Sequence, residues 1–255
     1  RHSIHGQSGA YSRHPGFGWN VNALVGINHL TGSPDREAVG PYVVYPDYNP
    51  AFLGVAAILA ALDHSRRMGQ GQCIDVAQLE ANLPLLSLAV LEYVANGRVA
   101  GRCGNKSPWA APHNAYPCRG DDPSTGSGQD RWCAIAVETN REWDSLCRAM
   151  GNPMWTKDPR FATLKGRKEN EEELDCLVAT WTIGLAAEEV MARLQAVGVP
   201  AGIVQSCRDL VERDPQLKHR GHFLWLEQPD MGAALHQDWA ATLSEVQLLS
   251  EDDFR

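Results

Sequence analysis

The sequence predicts a mixed α/β (or α+β) protein, and three observations carry that prediction. Segments with apolar residues at helical spacing alternate with short strand-like runs such as 73–76 and 132–137. The 255 residues are 44% apolar and 21% charged, which is the composition of a globular chain with room for one large or two modest domains. No apolar stretch is long and uninterrupted enough to span a bilayer.

Taken in order, residues 1–40 are rich in Gly, Ser, His, Pro and Asn, and predict turns around one short helix in WNVNALVGI (19–27). A helix follows over 50–67, with Asn49 as N-cap, Pro50 at the first helical position, and Gly69 and Gly71 as its stop. A short strand is expected at 73–76. Residues 77–96 repeat apolar side chains at helical spacing (Leu79, Leu83, Leu86, Val90, Val94) and end at Gly97. Residues 98–131 are irregular and long enough to be a linker or a binding loop. A strand is then expected at 132–137, helices at 140–150, 167–182 and 186–197, a turn and strand at 198–204, short helical pieces at 206–213 and 215–220, and a strand at 222–227.

The net charge is −8, and no basic cluster is dense enough to track a phosphate backbone, so no nucleic-acid partner is expected. A single small anionic ligand needs only a few local cations and remains compatible. The seven cysteines are scattered without a CxxC pair, which predicts reduced thiols and no zinc site. With no signal-peptide pattern and no membrane span, a cytoplasmic location is expected. Cys73 and the tryptophans (Trp109, Trp132, Trp143, Trp155, Trp181) read as packing residues. His2, His5 and His14 read as solvated loop histidines and not as metal ligands.

The segment 45–80, YPDYNPAFLGVAAILAALDHSRRMGQGQCIDVAQLE, holds the most pointed chemistry. Asp47 precedes an apolar run with small residues (Gly54, Ala56, Ala57, Ala60, Ala61) that allow close approach to a neighbour. An Asp in that place is commonly a cap. Asn49 already fits the cap, so Asp47 falls just outside it, at the positive end of the helix dipole. Free N–H groups there stabilise further negative charge, which suits a carboxylate nucleophile acting on an acyl group.

Six stretches in order resemble the class III CoA-transferase family, which includes the α-methylacyl-CoA racemases. GQGQCIDVAQLEA (Gly69–Ala81) resembles its G-x-G-Q-x-I-D-V-S/A-x-x-E-A segment. GQSGAYSRHPGFG resembles GQTGPY-x-x-x-PG-F/Y-D, and LTGSPDREAVGP followed by Asp47 resembles TG-x-P-x-x-P…D. GRCGNKSPWAAPHNAYPC, KDPRFATLKGRKEN and LQAVGVPAGIVQSCRDLVERDPQLKHRG match three downstream family segments.

The resemblance implies a class III CoA-transferase fold: part of a Rossmann-like large domain plus a small α/β domain. It implies residues 1–97 as part of the large domain, 98–131 as linker and insertion loop, 132–205 as the small domain, and 206–255 as a return linker. It also implies acyl-CoA and carboxylic acid substrates, no permanently bound cofactor, an interlocked homodimer, and Asp47 as covalent nucleophile through an aspartyl-CoA intermediate. Arg13, His14, Gly16 and Phe17 match positions near the CoA thioester, pantetheine or phosphates.

Racemases of the family carry a second base, a His, in a segment that here reads GFGWNVNALVG (Gly16–Gly26). Phe17 stands in its place, which argues against racemisation. A racemase and a non-catalytic or incomplete subunit are the alternative readings. Family segments expected upstream of Arg1 and after Arg255 are missing, which implies a processed or truncated chain. In 119–132, RGDDPSTGSGQDRW replaces a short turn and predicts a mobile surface loop.

Overall fold

The structure, a computed structural model, describes residues 1–120 and 131–238. The expected insertion loop therefore lies largely outside the described residues, as does the end of the expected return linker. The chain divides into two compact units, Arg1–His113 and Asn114–Arg255.

In the first unit, β1 (His2–Ser3) pairs in parallel with β2 (Val76–Ala77), with His2 opposite Val76 and Ser3 opposite Ala77. Between them lie α1 (Gly18–Val25), α2 (Ile27–Leu30) and α3 (Tyr45–Met68), and α4 (Gln78–Asn82) and α5 (Ser87–Asn96) follow β2. Gly26, at φ 99°, ends α1 and turns the chain into α2, a left-handed conformation that glycine adopts without strain. The buried centre is Val21, Val25 and Ile27, against which Ile4, Leu79 and Leu86 pack.

Three expectations fail here. The strand sits at 76–77 and not at 73–76, and Cys73 is exposed instead of packed. The helix expected over 77–96 is broken into α4, a 3-10 turn at Leu83–Leu86 and α5. Pro84 is the physical cause, because it removes an N–H and clashes with the preceding turn. The apolar runs of α3 and α5 are largely exposed: Phe52 is 74% accessible, Leu59 62%, Leu88 81% and Val94 75%.

In the second unit, β3 (His113–Pro117), β4 (Trp132–Ala136) and β5 (Ala201–Ile203) form one sheet in that order. The β4–β5 pairing is antiparallel, Cys133 opposite Ile203 and Ile135 opposite Ala201. The helices α6 (Asn140–Ala149), α7 (Leu164–Glu169), α8 (Glu171–Thr182) and α9 (Ala187–Gln195) lie between β4 and β5. Thr139 begins α6 with a capping box: its hydroxyl accepts from the Glu142 N–H at 3.2 Å, and Glu142 accepts from the Thr139 N–H at 2.9 Å. Ala187, Val190 and Leu194 form the buried face of α9, three and four residues apart.

β3 lies inside the stretch read as irregular. Its five residues alternate weakly, and pairing with β4 supplies what local pattern does not. The helix expected over 167–182 is interrupted at Asn170. Arg167 is fully buried, its guanidinium 5.0 Å from the Trp143 ring centroid and bonded to the Phe161 carbonyl, so this cation is a core residue. Trp143 is buried, whereas Trp109 is 76% exposed. Beyond β5 come α10 (Cys207–Glu212), α11 (Pro215–Arg220) and an antiparallel hairpin of β6 (Phe223–Gln228) and β7 (Gly232–Gln237).

Candidate functional site

The site is built where α3 begins. Val44 is the N-cap and Pro46 falls in the first turn, where its missing N–H costs nothing. Asp47 is the third residue of the helix, its N–H bonded to the Val44 carbonyl at 3.0 Å, and its side chain is exposed. The helix thus starts five residues before the expected Pro50, and Asp47 lies within its first turn instead of ahead of a cap. Asn49 does not cap. Its side-chain amide donates to the Ala81 carbonyl at 2.7 Å, tying α3 to α4, and this tertiary bond overrides the local Asn-Pro start signal. Pro50 sits buried inside α3.

Two other elements meet the Asp47 carboxylate. Gly18, the first residue of α1, packs against it so closely that a Cβ there would fall 2.3 Å from Asp47 Oδ2 and 2.8 Å from Cγ. The first-turn N–H groups of α1 have no partner within the helix and give that end partial positive charge. On the other oxygen, Gln78 Nε2 donates to Asp47 Oδ1 at 3.5 Å. Gln78 opens α4, its own carbonyl accepting from the fully buried Asn82 side chain at 2.7 Å.

Phe17 is the N-cap residue of α1, adjacent to Gly18, and its ring is 79% exposed. Its N–H donates to Asn20 Oδ1 at 3.2 Å, closing the start of α1. Gly16 is held close to Ile4, the residue after β1: a Cβ there would lie 2.9 Å from Ile4 Cδ1. The His14 ring packs on Tyr11 (centroids 5.2 Å) and His5 (6.4 Å), and Arg13 is exposed. Among the described residues, no hydrogen bond or ion pair joins Arg13 or His14 to Asp47. The structure therefore brings Phe17 next to the carboxylate contact and leaves Arg13 and His14 on the preceding loop.

Sequence reasoning missed Gly18 and Gln78. Gly18 had a readable signal, a second glycine flanking Phe17, but its purpose depends on where α3 falls. Gln78 had none, since a Gln opening a helix is unremarkable.

A cleft of about 490 Å³ runs along α3 beside this site. Ala51, Gly54, Val55 and Ile58 line it from the helix, with Arg1 and His2 at β1 and Gln72, Cys73, Ile74 and Val76 opposite. Ala51 lies one helical turn from Asp47. Among the described residues, no three His, Cys, Asp or Glu side chains are grouped to hold a metal ion, and no helix is long and apolar enough to cross a membrane.

Comparison with known proteins gives the same direction. The chain is 34% identical over 239 residues to the succinyl-CoA–D-citramalate CoA-transferase of Chloroflexus aurantiacus, covering 94% of this chain and 57% of that protein. It is 29% identical over 225 residues to the succinate–glutarate CoA-transferase of Agrobacterium fabrum, covering 88% of this chain and 54% of that one. The chain thus spans little more than half the length of these relatives. A crystal structure of a CAIB/BAIF family protein from Brucella suis superposes with a TM-score of 0.83 at 28% identity, over 96% of this chain and 60% of that one. CoA-transferase family III matches over residues 1–251, and the chain belongs to that family.

Proposed function

We propose that the protein transfers coenzyme A from an acyl-CoA donor to a carboxylic acid acceptor, with Asp47 as the covalent nucleophile. The observation that carries this reading is the seating of an exposed carboxylate in the first turn of α3, against Gly18 at the start of α1. Two helix N-termini meet at one carboxylate, and their unpaired N–H groups offer stabilisation to the negative charge that develops beside it.

Asp47 attacks the thioester carbonyl, the C–S bond breaks, and CoA leaves as thiolate. The resulting mixed anhydride is attacked at the Asp47 carboxyl carbon by that thiolate, releasing the donor acid and leaving an aspartyl-CoA thioester. The acceptor carboxylate then reverses the sequence. Each exchange is between acyl groups of comparable reactivity, so no external energy source is needed, and ping-pong kinetics follow. The names of the two relatives point to succinyl-CoA as the first donor to test and to dicarboxylic acids as acceptors.

In this reading Gly16 and Phe17 line the thioester, and Arg13 and His14 serve the pantetheine or phosphates of CoA. Phe17 supports transfer over racemisation, because a phenyl ring in the place of the racemases' His carries no transferable proton. A reducing cytoplasm suits the seven free cysteines. The apolar surface left open on α3 and α5 supports an assembled form, for which the interlocked homodimer is the proposal.

The test is to incubate the full chain with acyl-CoA thioesters, trap with hydroxylamine or borohydride, and look for a mass change on the peptide containing Asp47. An adduct on that peptide is expected. Folded protein that gives none with any acyl-CoA rules out the transfer, and α-proton exchange without acyl exchange would point to the racemase.

A further inference from the structure

We infer that Gln78 is a catalytic hydrogen-bond donor for the two steps that take place at the carboxyl carbon of Asp47. The inference rests on the CoA-transfer reading above and assigns a role that the attack on the donor thioester does not use. In the first of these steps, CoA thiolate adds to the Asp47 Cγ of the mixed anhydride. A C–S bond forms, the Cγ–Oδ2 bond breaks, and the donor acid leaves as carboxylate. In the second, the acceptor carboxylate adds to the same carbon of the thioester. A C–O bond forms, the C–S bond breaks, and CoA leaves as thiolate. Both additions push a full negative charge onto the one oxygen that stays on Cγ throughout.

The two oxygens of Asp47 have different surroundings. Oδ2 faces Gly18, with no room for so much as a Cβ between them, whereas Oδ1 faces the carboxamide of Gln78. The Nε2–Oδ1 distance of 3.5 Å is at the outer limit of a hydrogen bond to a resting carboxylate. A donor that is long in the resting enzyme and shortens as charge collects on Oδ1 binds the transition state more tightly than the ground state. It is also neutral, so it does not compete for the Asp47 charge as a Lys or Arg would.

The scaffold holds Gln78 in place. Its carbonyl is bound by Asn82, and Asn49 on α3 is bonded to Ala81 one turn along α4, so the nucleophile and the donor are cross-tied through their own helices. The Gln78 contact marks Oδ1 as the oxygen retained, so Oδ2 forms and breaks bonds from its side away from Gly18.

The experiment compares wild type, Gln78→Met and Gln78→Ala in the full chain, with succinyl-CoA and isotopically labelled succinate first and a panel of acyl-CoA thioesters after it. Met keeps the length of the side chain and removes the donor. A fall in kcat of about 10²-fold is expected in both variants, with KM for the thioester changed only a few fold. In acid-quenched protein given the thioester without acceptor, the intact mass should shift from the CoA-bearing to the acyl-bearing Asp47 adduct, because thiolate return is slowed more than the first attack. Urea unfolding checks that the variants are folded, and Gln78→Asn, which keeps the amide but shortens its reach, replaces Gln78→Met if α4 is disrupted. A wild-type kcat in Gln78→Met overturns the inference, as does a fall in kcat with the acyl-to-CoA ratio unchanged. Wild-type protein that forms no Asp47 adduct with any thioester removes the transfer reading and this inference together, whereas adduct formation indifferent to Gln78 removes the inference alone.

Discussion

Replacing Gly18 with Ala tests the contact on which the site depends. The backbone of Gly18 begins a helix and lies outside the left-handed region, so Ala is acceptable there by conformation and improves helix propensity by at most about 1 kcal/mol. The new Cβ would stand 2.3 Å from Asp47 Oδ2 and 2.8 Å from Val44 Cβ, where ordinary contact begins at 3.4 Å. About 1 Å of movement is needed, and neither neighbour yields easily: the Asp47 carboxylate sits on a short side chain in a helical turn, and Val44 Cβ is fixed to the backbone. Overpacking of this kind costs about 1–3 kcal/mol. Set against the propensity gain, the net loss of stability is about 0–2 kcal/mol, and the fold should survive. Displacing a reacting group by about 1 Å costs on the order of 10²-fold in rate. The assay pairs urea unfolding with the rate of adduct formation on the Asp47 peptide. Gly18→Ala that unfolds like wild type and forms adduct at the wild-type rate would refute the claim that this glycine positions the nucleophile.

Other substitutions separate the remaining roles. Gly54→Ala on α3 meets nothing within 4 Å, so the same change is expected to stabilise by about 0.5–1 kcal/mol in urea titration, and a loss would show that something packs tightly on that face. Asp47→Ala should abolish acyl exchange and leave CoA binding intact by calorimetry; loss of binding would make Asp47 a structural cap. Burial raises the Asp209 pKa, but the Ser206 N–H and hydroxyl and the Arg131 guanidinium outweigh it, and the carboxyl is held below its usual range. Its contribution is therefore fully present above the ordinary carboxylate pKa of about 3.9 and is lost as pH falls through the lower folded value. Asp209→Asn should cost about 2–3 kcal/mol at pH 7 and progressively less in acid; equal losses at pH 7 and pH 3 would refute the assignment.

The second unit was the more legible from sequence, and the reason is local. Thr139 with Glu142, Ser206 with Asp209, and Asp214 before Pro215 are cap signals whose partners lie three residues away. Ala187, Val190 and Leu194 mark one helical face without help from elsewhere. The misses were non-local. β3 exists because β4 pairs with it, and β7 because β6 does. Arg167 reads as a surface charge until Trp143 and the Phe161 carbonyl are placed around it. In the first unit, periodicity marked the apolar faces of α3 and α5 correctly as apolar, but periodicity states only that a face seeks cover and not what covers it.

The site divides along the same line. Asp47 could be singled out because a carboxylate at the head of an apolar helix is a local pattern, and the flanking segments sharpened it. Its true setting was not readable, because Asn49 and Pro50 carry a local start signal that the bond from Asn49 to Ala81 overrides. Once that bond moves the start of α3 back to Tyr45, Asp47 enters the first turn, and the contacts with Gly18 and Gln78 come from two different helices. The bond that spoils the cap prediction is thus the one that ties the helix of the proposed nucleophile to the helix bearing its proposed donor. Weakening it with Asn49→Ala should loosen Gln78 from Asp47 without touching either residue, so kcat should fall while KM for the thioester holds, and an unchanged kcat would refute the tie.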